Sequence, residues 1–118
     1  MRARARFEAT KRYRGRLVTA ASTLTEVLRG GHDDAELHRI LKDVEVVAID
    51  RHIGRAAGEL LGKTGMSSQR DALDALLAVV AMAQARPVIL LTSDPRDLGK
   101  LTEEPGRPKH ERIAVGTV

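Results

Sequence analysis

Cysteine is absent from the 118 residues, which excludes disulfides, thiolate metal sites and a cysteine nucleophile together. Tryptophan is absent as well, and Phe7 and Tyr13 are the only aromatic side chains, 2% of the chain. A core must then be built from Leu, Val, Ile and Ala, and stacking of bases on an aromatic platform is not expected. No apolar run approaches the roughly 18 residues of a membrane helix, and the basic start lacks the apolar stretch of a secretory signal. The chain therefore reads as soluble and cytoplasmic. Its length suits one domain with one core and is too short for two, so 1–118 is taken as a single domain.

What is there begins with charge. Residues 1–16 hold seven basic groups (Arg2, Arg4, Arg6, Lys11, Arg12, Arg14, Arg16) against Glu8, whereas the remainder carries 13 basic and 15 acidic residues. A basic start on a mildly acidic body can grip phosphates, although a solvated helix face explains the same pattern.

Helical and extended stretches alternate along the chain. Residues 2–14 are compatible with helix, RLVTA (Arg16 to Ala20) with a strand, and STLTEVLRGG with a helix capped by Ser22 or Thr23 that stops at Gly30 and Gly31. DDAELHRILKD carries Leu37, Ile40 and Leu41 on one helical face, and VEVVAI (Val44 to Ile49) reads as a strand. Asp50 can cap a helix with Ile53, Ala56, Ala57, Leu60 and Leu61 on one face and Gly65 as its stop. The next helix, SSQRDALDALLAVVAMAQA, is the most apolar, capped by Ser67 or Ser68 and ended ahead of Pro87. PVILLT (Pro87 to Thr92) is apolar on both faces, as a strand covered on both sides is. A short helix from Pro95, the loop EEPGRPKH and a last strand, ERIAV, follow. This order predicts an α/β domain with a mainly parallel central sheet flanked by helices, whose functional residues lie beyond the carboxyl ends of the strands.

Three acids fall near helix starts that could converge there: Glu26, Asp74 and Asp94. Clustered carboxylates without cysteine or a well-spaced histidine suit a hard divalent cation such as magnesium, which can activate water and stabilise phosphate charge. His32, His38, His52 and His110 are dispersed and receive no role. Capping chemistry offers a plainer account of each acid but one: Glu26 forms a capping box with Thr23, Asp71 sits in a first turn, and Asp94 can cap the helix from Pro95. Asp74, among Leu73, Leu76 and Leu77, lies past any cap position, and a buried carboxylate there needs a partner.

The ordered set STLTEVLRGG, TGMSSQRDALDALLAVVAMA and VILLTSDPRDLGKL resembles the PIN-domain family, in particular the VapC type, the toxin half of toxin–antitoxin pairs. The likeness runs from about Arg12 to the C-terminus. It implies a three-layer fold and a ribonuclease that cleaves RNA with metal-activated water. It also implies Mg2+ or Mn2+ held by Glu26, Asp74 and Asp94, with Asp97 as a helper and Asp71 behind them. Thr92 and Ser93 would orient Asp94 or touch a phosphate, their plainer role being turn chemistry. A cognate antitoxin and a homodimer are the implied partners.

Members of the family open with an apolar strand ending in Asp, which forms the middle of the sheet and supplies a ligand. MRARARFEATKRYRG resembles instead the region after that strand, so the strand and its aspartate are expected to be missing. The strands near 16–20 and 44–49 would then flank one side of a gap and those near 87–92 and 111–115 the other, leaving unpaired edges. The competing expectation is a catalytically impaired PIN fragment acting only through antitoxin or self-association. A receiver-type domain, suggested by Asp50 after VVAID, lacks the matching lysine strand, and a helix cap explains Asp50.

Overall fold

Val, Leu and Thr in RLVTA favour extended backbone because branched side chains pack well on a pleated surface. The computed structural model describes residues 16–32, 34–93, 95, 96 and 98–117, and there this segment is strand β1 (Arg16–Ala20), exposed at Arg16 and buried thereafter. Helices α1 (Ala21–Val27) and α2 (Asp34–Leu41) follow, then β2 (Glu45–Val47), α3 (Arg51–Thr64), α4 (Gln69–Met82), β3 (Val88–Thr92), α5 (Leu98–Leu101) and β4 (Ala114–Thr117). The expected helix over residues 2–14 lies outside the described residues.

The strands form one all-parallel sheet in the order β2-β1-β3-β4. The expectation of two strand pairs flanking a gap is corrected: Arg16, Leu17 and Val18 of β1 pair directly with Val88, Ile89 and Leu90 of β3. Two short apolar strands bring their ladder groups together in the middle of the sheet, where an open seam would leave backbone donors and acceptors unpaired.

Alternation along β1 and β3 sends side chains to two layers. On one face Val18, Ala20, Val88 and Leu90 meet Leu77, Ala78, Val80 and Ala81 of α4 and Leu98 and Leu101 of α5. On the other, Leu17 and Leu91 meet Val44, with Ile40 and Leu41 of α2 packed against them. Helices on both faces complete the three-layer α/β architecture, and α3 packs on α4 through Ile53 and Leu60, which border the first core. No helix among the described residues is long and apolar enough to cross a membrane.

Local chemistry sets most of the helix ends. Asp50 accepts a hydrogen bond from the Ile53 N–H at 2.9 Å, and Gly65 ends α3 with φ 68°, a left-handed geometry that favours glycine. Ser68 and Asp71 form a reciprocal capping box at the start of α4. At its other end Arg86 reaches Glu104 through two hydrogen bonds of 2.6 and 3.0 Å and the Glu111 carbonyl at 3.0 Å, tying the end of α4 to the loop after α5. Two strands are displaced from expectation: β2 is trimmed to three residues, and β4 begins at Ala114 because Lys109–Glu111 wind into a 3₁₀ turn after Pro108.

Candidate functional site

Parallel pairing brings the carboxyl ends of β1 and β3 to one rim, and the polar groups there come from residues that neither core takes up. Thr19 falls at a buried position of β1. Its Oγ1 lies 2.8 Å from the Leu91 carbonyl and 2.8 Å from Thr23 Oγ1. A hydroxyl has one proton to give, so Thr19 donates to the carbonyl and accepts from Thr23. The chain of bonds pins α1 to both central strands.

That arrangement corrects two sequence expectations. Neither Ser22 nor Thr23 caps α1: the helix starts directly from β1 with Ala20 at the cap position and no side-chain cap. Thr23 is the third residue of the helix, buried with its hydroxyl on Thr19, so the capping box expected for Glu26 does not form. Glu26 instead turns to β3, where its Oε2 accepts a hydrogen bond from Ser93 Oγ at 3.2 Å. Ser93 thereby orients Glu26, a carboxylate it was not expected to serve. Asp71 is accounted for by capping alone, its Oδ2 accepting from the N–H groups of Ser67 and Ser68 at 3.1 Å.

Asp74 is buried at 7% exposure in the sixth position of α4. A short connection joins the end of α4 to the start of β3, so the helix runs antiparallel to that strand. Eight residues of helix correspond to a rise of about 12 Å from Met82 to Asp74, and β3 to roughly 13 Å, so Asp74 belongs to the half of α4 nearer the carboxyl ends of the strands. Glu26 is thus joined to the end of β3 and Asp74 is buried on α4, while Asp94 and Asp97 lie outside the described residues.

Among the described residues no three His, Cys, Asp or Glu side chains form a group able to hold a metal ion. The donor chemistry still fits a hard cation: Glu26 and Asp74 offer carboxylate oxygens, Ser93 and Ser22 offer hydroxyls, and the Ser22 Oγ is buried with no hydrogen-bond partner among the described residues. Magnesium is commonly held by one or two carboxylates, with water and phosphate oxygens completing the shell.

A cavity of about 460 Å³ opens elsewhere, beside Gly99, Thr102, Glu104, Ile113 and Val115. This cavity carries Glu103 and Glu104, with Arg112 beside them, and does not include Glu26 or Asp74. The rim is the better candidate because its polar groups converge from three elements. Sequence reasoning missed Thr19 as a member of this network; the signal was a lone hydroxyl between Val18 and Ala20 in an otherwise apolar strand.

A family model described as PIN domain matches residues 1–103. No curated protein and no solved structure matches the chain.

Proposed function

The chain belongs to the PIN domain family, whose members are in general nucleases, and from that footing we propose that it is a metal-dependent endoribonuclease of the VapC toxin type. The observation that supports the reading is the hydrogen bond from Ser93 to Glu26, which joins α1 to the end of β3, together with the burial of Asp74 on α4. Glu26, Asp74 and Asp94 are the proposed ligands of Mg2+ or Mn2+, with Asp97 as a helper. Bound there, a divalent cation would neutralise phosphate charge and lower the pKa of water.

The chain's own groups prepare that chemistry. Ser93 fixes one Glu26 oxygen and leaves the other to serve a cation. The Thr23 to Thr19 to Leu91 bonds hold α1 still, so the carboxylate need not be ordered when substrate arrives. Burial of Asp74 strengthens its attraction for a cation because little water screens it. The basic residues of 1–16 steer RNA toward the acidic rim, and a cognate antitoxin and self-association in the cytoplasm complete the proposed setting.

The test is cleavage of RNA by the full chain with Mg2+ or Mn2+, with EDTA, and by Glu26→Gln and Asp74→Asn. Cleavage is expected only with metal, falling about a hundredfold or more in each variant, since even groups behind the ligands are worth 10–100-fold. Cleavage in EDTA, or at wild-type rate in both variants, contradicts the reading.

A further inference from the structure

Ser22 Oγ is the one side-chain polar atom buried without a hydrogen-bond partner among the described residues. Buried hydroxyls are nearly always satisfied, so such an orphan calls for a physical account. The usual local outlet for a helical serine is the carbonyl four residues back. For Ser22 that residue is Val18, which lies in β1 and outside the helix, so the outlet is closed. The neighbouring hydroxyls are already committed, Thr23 to Thr19 and Thr19 to Leu91.

Ser22 and Glu26 are four residues apart on α1, hence one turn apart on the same face. The Glu26 end of that face meets Ser93 at the end of β3. Ser22 as a whole is half-buried, and the other staggered χ1 wells offer its hydroxyl a route to a group outside the chain. We infer that Ser22 is a positioning residue whose hydroxyl donates to an oxygen from outside the chain, a water or a phosphate oxygen held beside Glu26. The inference rests on the nuclease reading of the rim.

The experiment compares the full chain with Ser22→Ala and Ser22→Thr in three measurements: thermal unfolding without metal, calorimetric titration with MnCl2, and steady-state cleavage of RNA. Ser22→Ala is expected to unfold at the same or a higher temperature, since it removes an unsatisfied group. If the oxygen is a water near the cation, Mn2+ affinity falls about tenfold and Ser22→Thr restores it. If it is a phosphate oxygen, Mn2+ affinity holds while KM for RNA rises about 10–100-fold at constant kcat, the worth of one hydrogen bond to a charged group. Unchanged Mn2+ affinity and unchanged KM overturn the inference. Should Ser22→Ala not fold, Ser22→Cys keeps the volume with a weaker donor and gives the same readings. A wild-type chain that neither binds Mn2+ nor cleaves RNA overturns the nuclease reading, and this inference with it.

Discussion

Replacing Arg86 by methionine isolates the ion pair that closes the lower end of the domain. The Arg86 and Glu104 side chains are 9% and 13% exposed, and two hydrogen bonds of 2.6 and 3.0 Å join them in parallel. Methionine retains most of the apolar stem, so the loss is charge and hydrogen bonding and not volume. Removing one partner of a buried pair costs about 3–5 kcal/mol, because the other charge is left desolvated. Here Arg107 stays 3.0 Å from Glu104, which brings the expected loss down to about 2–3 kcal/mol. For a domain of this size that lowers the thermal midpoint by about 6–18 °C. The Arg86 hydrogen bonds, together with the charges of Arg86 and Arg107, hold the Glu104 carboxyl below its usual 4.5. A depressed folded-state value means that the contribution is complete above the unfolded-state value and fades as pH falls through the folded one. The difference between wild type and variant, followed by circular dichroism, should therefore narrow under acid. A fall of less than about 2 °C at neutral pH, against the 3–6 °C expected per kcal/mol, would show that the pair contributes little, and a gap that persists unchanged in acid would show that the Glu104 charge is not its source.

Three further outcomes follow from named contacts. Leu90 is fully buried between the layers, so Leu90→Ala should lose about 2–5 kcal/mol in denaturant titration with an unchanged slope. Asp34 accepts from the N–H groups of Arg29 and Gly30 at 2.8 Å each, which depresses its carboxyl below the usual 3.8. NMR titration should find it ionising below that value, and Asp34→Asn should lower the midpoint at neutral pH with a gap that shrinks as pH falls through the folded-state value. Gly65→Ala, forced into a left-handed conformation, should cost about 1 kcal/mol by the same denaturant assay.

The contrast between two similar motifs shows what sequence could and could not deliver. Thr23-x-x-Glu26 and Ser68-x-x-Asp71 both carry the spacing of a capping box, and only the second forms one. The difference is tertiary: α1 springs straight from β1, so Thr23 is drawn inside to meet Thr19, and Glu26 is released to reach Ser93. Asp50, Gly65 and Ser68 were legible because a cap answers to its own few neighbours. Burial of Asp74 followed from its place among leucines past any cap position. The pairing of β1 with β3 depends on contacts about 70 residues apart, which no local pattern encodes. Likewise Arg86 and Glu104 are 18 residues apart, with a strand and a helix between them, so no local pattern pairs them.

If Glu26 and Asp74 belong to a divalent cation centre, paramagnetic mapping locates it without requiring turnover. Substoichiometric Mn2+ added to the isotope-labelled full chain should broaden the amide signals of Glu26, Ser93 and Asp74 first, with those of Ser22 and Thr23 close behind. Broadening centred on Glu103 and Glu104 beside the 460 Å³ cavity, or spread evenly over the surface carboxylates, would contradict that placement.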